Sequence, residues 1–313
     1  MQLVSDWFRP DRIPSDVAAF NAWLESETTG RPTAMDIGPE RARTAREAGV
    51  SIFGALDVSP AAFDEEVAGP DGPVAVHILE PEGDPTGVYL HIHGGGWVMG
   101  AAHHHDAVNA RLVEGAGVVV VSVEYRLAPE HRHPAAVADC LAAARWLIDA
   151  APSRWGTSRL LIGGESAGAH LATLTMLGLP GDTFAKAYLS YGAYDVRNTP
   201  SVRRWGERNL ILTTALIDWF ASLAFDEDLD MTDPSVSPLF ADLSGLPPAR
   251  FMVGTLDPLL DDTLFMASRW VAAGNRAQMD VYPGAIHAFD YFPHHPYADL
   301  AYSAAAEWLR DDR

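Results

Sequence analysis

Segments that read as β-strands and segments that read as α-helices alternate along this chain from about residue 65 onward. Several of the strand segments are nearly continuous apolar runs, such as VVVVSV at residues 118–123. Runs of this kind suit strands that are buried on both faces of a parallel sheet. The alternation therefore predicts an α/β fold in which helices cover both faces of the sheet.

The pattern gives approximate bounds for each element. Strands are expected at residues 74–79, 88–93, 118–125, 159–163, 185–190, 250–254 and 278–282. Helices are expected at residues 104–114, 134–149, 167–177, 263–273 and 297–310. The tetrapeptide PDGP at residues 70–73 has turn-forming residues, which predicts two antiparallel strands at the start of the sheet.

Two helical regions fall outside this alternation, at residues 1–50 and 197–230. The second contains a predicted helix at 210–225 and is a long insertion between strands, and such insertions often carry function. We predict that the two regions pack together as a helical cap over one edge of the core. The core itself is then expected to comprise residues 51–196 and 231–313.

Composition and charge exclude several classes of protein. The chain is 48% hydrophobic and 20% charged, which is ordinary for a globular protein. Its net charge of −20 repels phosphate groups, so neither nucleic acid nor an anionic membrane is expected as a partner. The longest aliphatic run is far shorter than the roughly 20 apolar residues of a membrane helix. The first residues lack the apolar stretch of a signal peptide, which predicts a cytoplasmic location.

A G-x-S-x-G pattern, GESAG at residues 164–168, contains the candidate nucleophile Ser166. Chance alone gives such a match in roughly one chain in ten. Here the motif follows a predicted buried strand and opens a predicted helix, which is the setting of a nucleophile elbow. The helix N-terminus would favour negative charge developing at the serine. The alternative is a structural Gly-Ser helix cap.

The sequence HGGGW at residues 93–97 follows another predicted strand. An HGGG motif in this position forms the oxyanion hole of lipases and esterases. We expect the backbone N–H groups of Gly95, Gly96 and Ala167 to stabilise an oxyanion, with Gly94 in place of Gly96 as an alternative. A phosphate-binding loop is disfavoured because no G-K-[ST] sequence follows the glycines.

A serine nucleophile needs a general base, and the chain has 12 histidines. In this fold the triad residues occur in the order serine, acid, histidine. His287 follows a predicted strand and is our candidate, whereas His294 and His295 lie beside prolines and are expected to be exposed loop residues. His170 lies on the helix that Ser166 opens and is too close in sequence.

The carboxylate that orients the base is expected one strand earlier. Asp257 ends the predicted strand before His287 and is our candidate. Asp261 and Asp262 are expected to act as acids in the first turn of the next helix. Asp195 is a weaker competitor. The predicted catalytic triad is Ser166, Asp257 and His287.

The remaining candidates concern metal and substrate. Adjacent residues on a helix point in different directions, so His103, His104 and His105 are not expected to share a metal ion, and neither metal nor cofactor is predicted. Large aromatic residues could line a substrate pocket, although core packing explains each of them equally well. These pocket candidates are Trp97, Trp205, Trp219, Phe220 and Phe289.

Five motifs, found in this order, resemble those of the bacterial hormone-sensitive lipase-like esterases of the α/β-hydrolase fold. They are HGGGW at 93–97, YRLAPE at 125–130, GESAGAHLA at 164–172, GTLDPLLDD at 254–262 and IHAF at 286–289. The resemblance implies a mostly parallel eight-stranded sheet, a helical cap and a serine carboxylesterase acting on short-to-medium acyl esters. It also implies the triad and oxyanion residues chosen above. His105-Asp106 and Tyr125–Glu130 match family positions too, and we expect both to support the HGGG loop.

Two further expectations come from this family. Its members often form homodimers through an edge strand, which would here be residues 278–282. Glu165 stands where aspartate or threonine is also common in the family, a departure that we expect not to affect the chemistry.

The predicted reaction is hydrolysis of a small-molecule ester through an acyl-enzyme on Ser166, with His287 as the base. Activity should fall on acidification as the base is protonated, near the ordinary histidine value of about 6.5. An amidase or arylformamidase with the same triad is one alternative. A non-catalytic small-molecule receptor is the other.

Overall fold

Eight strands form one mostly parallel sheet in the computed structural model, which describes residues 3–310. The strand order is β1-β2-β4-β3-β5-β6-β7-β8, with β2 antiparallel to both of its neighbours and all other pairs parallel. The strands are β1 Phe63–Gly69, β2 Gly72–Leu79, β3 Gly87–Ile92, β4 Val118–Glu124, β5 Leu160–Glu165, β6 Lys186–Ser190, β7 Ala249–Leu256 and β8 Ala277–Ile286. The predicted α/β-hydrolase fold class is confirmed, and so is the tight turn, because Gly69 pairs with Gly72.

The sheet is covered on both faces, as the apolar strand sequences predict. Successive valines of β4 alternate between two hydrophobic clusters: Val119 and Val121 belong to one, and Val118 and Val120 belong to the other. Helices α5 and α6 contribute to the first cluster, and α4 and α10 to the second. The helices are α1 Ser15–Thr28, α2 Ala34–Ile37, α3 Pro39–Glu47, α4 Asp106–Ala116, α5 Ala135–Trp155, α6 Ala167–Leu177, α7 Pro200–Trp205, α8 Thr214–Ala224, α9 Leu260–Ala272 and α10 Ala298–Arg310.

The mid-chain insertion differs from its prediction. Instead of one helix over residues 210–225, it contains two, α7 and α8. Gly206 follows α7 with a φ of 75°, which ends that helix. Thr213 starts α8, because its hydroxyl accepts a hydrogen bond of 3.1 Å from the N–H of Leu216. A threonine cap inside an apolar stretch is a local signal that the hydrophobic pattern alone does not reveal.

Two more features of the architecture bear on the predictions. Within residues 3–310, no helix has the length and apolar character that a membrane span would require. Strand β8 lies at one edge of the sheet, where the predicted dimer contact would form. Dimerisation itself stays a prediction. The predicted cap begins at residue 1 and the predicted core ends at residue 313, but residues 1–2 and 311–313 lie outside the described residues.

The segment after β4 is fixed by an arginine at its start. The Arg126 guanidinium donates to the buried carboxylate of Asp139 on α5 at 2.8 Å and to the exposed carboxylate of Asp71 at 2.8 Å. These hydrogen bonds raise the pKa of Arg126 above its ordinary value, so the guanidinium stays charged. Two residues further on, the N–H of Ala128 donates to the carbonyl of Trp97 at 3.0 Å. The ion pairs of Arg126 therefore anchor a segment that contacts the glycine-rich loop.

Replacing Asp139 by alanine removes the buried partner of Arg126. We expect the free energy of unfolding to fall by about 2 kcal/mol, because buried hydrogen bonds to a charged group are lost while the partly exposed guanidinium keeps its contact with Asp71. Asp71→Ala removes the exposed partner of the same guanidinium and should cost less than about 1 kcal/mol. Urea unfolding followed by circular dichroism measures both. Equal losses in the two variants would contradict the role assigned to Asp139.

Candidate active site

Ser166 lies in a sharp turn between β5 and α6. Its φ of 55° and ψ of −121° are unusual for a residue with a side chain and cost of order 1–3 kcal/mol. The turn brings the helix very close to the neighbouring strand β3. A Cβ atom at Gly168 would lie 1.9 Å from the carbonyl oxygen of Ile92, so only glycine fits there. The local sequence thus forms the strained turn that exposes a serine at the end of a strand.

Ser166, His287 and Asp257 form one hydrogen-bonded chain. The Ser166 Oγ lies 3.0 Å from Nε2 of His287, and Nδ1 of His287 lies 2.9 Å from Oδ2 of Asp257. With its proton on Nδ1, the imidazole donates to the carboxylate and accepts from the hydroxyl. Both the imidazole and the carboxylate are buried, and Oδ1 of Asp257 also accepts from the N–H of Leu259 at 2.8 Å. The carboxylate is therefore held against the imidazole by its own backbone contact.

The competing carboxylates have other partners. Asp195 pairs with Arg197 at 3.0 Å, and Asp261 accepts from the N–H of Ser201 at 2.8 Å. Asp262 is buried, which raises its pKa to about 7, and it accepts from the Thr199 hydroxyl at 2.5 Å. Asp261 and Asp262 lie in the first turn of α9, as expected. Both also hydrogen-bond to the start of the mid-chain insertion, at Ser201 and Thr199.

The competing histidines also lie elsewhere. His294 is exposed, as predicted. His295 is not, because its ring is buried against those of Phe20 and Phe289, at centroid distances of 4.7 and 5.1 Å. The expectation of an exposed loop residue was wrong for His295, since the flanking prolines gave no sign that a distant helix covers it.

His170 has a structural role beneath the glycine-rich loop. Its Nδ1 accepts from the indole N–H of Trp97 at 3.1 Å, and its Nε2 donates to the carbonyl of Val236 at 2.8 Å. Burial lowers the pKa of His170 to about 4, so the ring is neutral at neutral pH. Trp97, one of the predicted pocket residues, is thereby buried and held in the core.

The glycine-rich loop presents free backbone donors. Gly95 and Gly96 have positive φ values, 125° and 61°. Their backbone therefore departs from the extended conformation of a strand, and their N–H groups point in other directions than strand N–H groups do. Within residues 3–310, the N–H groups of Gly95, Gly96 and Ala167 donate to no protein acceptor. The N–H of Gly94, in contrast, donates to Oε1 of Glu165 at 2.7 Å. Of the two alternatives for this loop, the geometry favours Gly96 over Gly94 as a donor to an oxyanion.

Glu165 was missed as a site residue by the sequence reasoning. Besides Gly94, its carboxylate contacts Nε2 of His91 at 3.1 Å and Nε2 of His105 at 3.1 Å. His91 in turn contacts the Ser122 hydroxyl at 2.8 Å on the adjacent strand β4. Glu165 therefore ties the elbow to the glycine-rich loop. A charged residue between a buried strand and the nucleophile was the signal that could have found it.

The other side of the loop rests on the segment after β4. The Tyr125 ring stacks on the His93 ring at 4.2 Å, and its hydroxyl donates to the His93 carbonyl at 2.8 Å. Arg43 belongs to α3 in the N-terminal region. Its guanidinium donates to the carbonyls of Val98 at 2.8 Å and Ala128 at 2.6 Å. These contacts agree with the expectation that the YRLAPE region supports the glycine loop.

Phe220, another of the predicted pocket aromatics, contacts the glycine loop from α8. A Cβ atom at Gly96 would be 2.5 Å from the Phe220 ring, so the ring covers this glycine directly. Trp219 is half-buried, and its ring lies 5.3 Å from that of Phe220. Both residues belong to α8, which places the mid-chain insertion over the candidate oxyanion donors.

The other two aromatics pack elsewhere. The indole N–H of Trp205 donates to the carbonyl of Leu212 at 2.9 Å, which closes the loop between α7 and α8. Phe289 is fully buried, with its ring 5.0 Å from that of Tyr282. Their contacts therefore agree with the core-packing alternative.

Comparison with known proteins places the chain in a family. Residues 89–291 match the model of a family with the alpha/beta hydrolase fold. The chain is similar to the ethyl acetate hydrolase of Pseudomonas putida, with 32% identity over 290 residues that cover 88% of this chain and 91% of that protein. It is 36% identical over 239 residues to the carboxylic ester hydrolase LipN of Mycobacterium tuberculosis. That match covers 72% of this chain but only 63% of LipN.

Solved structures agree over a larger share of the chain. An esterase from Pyrobaculum calidifontis superimposes with a TM-score of 0.85 at 30% identity, covering 95% of this chain and 98% of its own. A hormone-sensitive lipase from a metagenome library superimposes with a TM-score of 0.81 at 26% identity, covering 96% and 99%. The chain therefore belongs to the alpha/beta hydrolase fold family, in its hormone-sensitive lipase-like group of carboxylic ester hydrolases.

Proposed function

We propose that this protein is a serine carboxylesterase that hydrolyses short-to-medium acyl esters, with Ser166 as nucleophile, His287 as base and Asp257 as its orienting acid. The observation that carries the proposal is the chain of two hydrogen bonds, 3.0 Å from Ser166 to His287 and 2.9 Å from His287 to Asp257. A base within this distance can take the hydroxyl proton as the serine oxygen attacks.

The reaction proceeds in two halves. The Ser166 oxygen attacks the ester carbonyl carbon while Nε2 of His287 takes the hydroxyl proton. The bond to the alcohol oxygen breaks, His287 gives its proton to that oxygen, and the acyl group stays on Ser166. Water then attacks the acyl-enzyme with His287 again as the base, and the carboxylic acid leaves as Ser166 regains a proton.

The glycine-rich loop would stabilise the tetrahedral intermediate of each half. The N–H groups of Gly95, Gly96 and Ala167 are the candidate donors, and they are free of protein acceptors in the described part of the chain. A preorganised donor of this kind contributes on the order of 3 kcal/mol to the transition state. No cofactor is required by this mechanism.

Two observations support a preference for a small acyl group. The Phe220 ring covers Gly96 and would limit the space beside the oxyanion. The relative from Pseudomonas putida is named for the hydrolysis of ethyl acetate, an ester with a two-carbon acyl group. We therefore infer that the preferred acyl chains of this enzyme are at the short end of the family's range.

We also propose that residues 1–50 and 197–230 form the cap. The two regions touch: the Arg208 guanidinium pairs with Glu25 at 2.7 Å, and the Thr28 hydroxyl donates to the Asn209 carbonyl at 3.3 Å. A cavity of about 450 Å³ lies between the N-terminal region and the end of β7, with Leu256 and Leu260 on its core side. Glu25 and Arg208 line this cavity from the two regions, so it lies where they meet.

Ser166→Ala removes the nucleophile and should lower kcat by roughly 10⁶-fold, because the acyl-enzyme can no longer form. The measurement is hydrolysis of p-nitrophenyl esters with acyl chains from two to sixteen carbons, and wild type should prefer the short chains. Ser153→Ala, an exposed serine on α5, is the matched control and should keep full activity. Ester hydrolysis by Ser166→Ala at a rate close to that of wild type would exclude the proposed mechanism.

A paired assay separates this proposal from the amidase alternative. An ester and an anilide that share the same acetyl and nitrophenyl groups differ only in the leaving atom. We expect wild type to turn over the ester much faster, because the nitrophenolate oxygen is an easier group to expel than the anilide nitrogen. Equal kcat/KM values for the pair would favour the amidase, and inactivity on both would favour the receptor.

Glu165→Ala should lower kcat by about tenfold with little change in KM, less than the 10² to 10³ that loss of an oxyanion donor costs. The reason is that Glu165 positions the loop through Gly94 without touching the reacting atoms. Glu165→Gln keeps a carbonyl oxygen for the Gly94 N–H and should recover part of the loss. If alanine lowers thermal stability but leaves kcat unchanged, Glu165 is structural only.

A further inference from the structure

A second cluster of histidine and carboxylate groups lies at the surface, outside the triad. Glu47 ends α3, and His103 and His104 belong to the short turn that follows the glycine-rich loop. Nε2 of His103 lies 2.7 Å from the Glu47 carboxylate, and Nε2 of His104 lies 3.4 Å from it. The two rings meet at a centroid distance of 4.6 Å. Three potential ligand atoms therefore converge within 4.8 Å of one another.

This convergence corrects the expectation from sequence. Three adjacent histidines were expected to diverge, and His105 does turn inward, where it contacts Tyr291 and Glu165. His103 and His104 do not diverge, because a carboxylate more than 50 residues away in sequence draws both imidazoles to the same point. The position of α3 could not be read from the histidine run itself.

A comparable buried group, His91, His105 and Glu165, lacks free ligand atoms. The Glu165 oxygens already accept from the N–H of Gly94 at 2.7 Å and contact both imidazoles, and His91 also contacts Ser122 at 2.8 Å. These hydrogen bonds occupy the ligand atoms of this group. The surface cluster is different, since its two imidazoles hydrogen-bond to the Glu47 carboxylate and that carboxylate is 49% exposed.

Two neutral imidazoles with one carboxylate form a recognised ligand set for Zn²⁺ and related ions. Ligand bonds of about 2.0 Å around a tetrahedral ion separate neighbouring ligand atoms by about 3.3 Å. The contacts here, 2.7 and 3.4 Å, bracket that separation.

One neighbouring charge works against cation binding. The Arg46 guanidinium directly precedes Glu47 in the chain, and its positive charge acts on His104. It is directed elsewhere, however, since it donates to the Gly54 carbonyl at 3.1 Å and lies over the Phe53 ring at 5.2 Å. Its charge should reduce the affinity of the cluster without occupying the ligand atoms.

We propose that Glu47, His103 and His104 bind a divalent transition-metal ion of the Zn²⁺ class, with water as the fourth ligand. Bound metal would link the end of α3 to the turn at Ala102–His105, directly after the glycine-rich loop. Arg43 of the same helix already contacts the Val98 carbonyl at 2.8 Å. Together with the Arg43 contact, the site would thus be a second connection between α3 and the segment around the candidate oxyanion donors.

Calorimetric titration of the chelator-treated full chain with Zn²⁺ tests the proposal. Wild type should show one site whose affinity falls at least about tenfold in His103→Ala, His104→Ala and Glu47→Gln, since even outer groups around a metal contribute that much. His294→Ala is the matched control, an exposed histidine outside the cluster, and should bind like wild type. Equal affinity in all five proteins would overturn the proposal.

Thermal unfolding gives an independent readout. Zn²⁺ should raise the Tm of wild type and His294→Ala, because an ion that binds only the folded state stabilises it. The increase should be absent in Glu47→Gln, whose side chain has nearly the same shape and is the variant least expected to disturb folding. A Zn²⁺-dependent increase that persists in Glu47→Gln would show that the ion binds elsewhere.

Discussion

The close approach of two backbone turns, one after β3 and one after β5, is the constraint on which the rest of the site depends. These strands are adjacent and parallel, so their carboxyl ends meet at one edge of the sheet. Gly168 lets α6 contact the backbone at Ile92, and Glu165 bridges the remaining gap to the Gly94 N–H. The candidate nucleophile and the candidate oxyanion donors are therefore held in fixed relative positions by the sheet.

The candidate base, His287, is also held in place by its surroundings. The His287 ring packs edge-on against Tyr191 at 4.8 Å, and the Tyr191 hydroxyl donates to the buried Asp290 at 2.6 Å. Burial raises the pKa of Asp290 to about 6, which reflects how little solvent reaches this layer. The His287 imidazole thus contacts the Tyr191 ring on one side and the Asp257 carboxylate on another, and these contacts restrict its orientation.

The parts of this molecule that sequence could predict are those with local signals. The valine runs predicted the buried strands, and the glycines around Ser166 predicted the turn that presents it. What escaped prediction depends on contacts between distant segments. Glu165 meets Gly94 across 71 residues, and Glu47 meets His103 across 56. His295 is buried by Phe20, and the mid-chain helix begins later than expected at the Thr213 cap. Periodicity carries no information about such pairs.

Arg43 gives the N-terminal region a role beyond covering the core. Its guanidinium binds the carbonyls of both Val98 and Ala128, so one side chain joins the glycine loop to the segment that supports it. Exchange of the N-terminal helices α1 to α3 for those of a relative would remove this bridge. A chimaera of that kind would change reactivity as well as specificity unless the incoming segment carried an arginine at the same place.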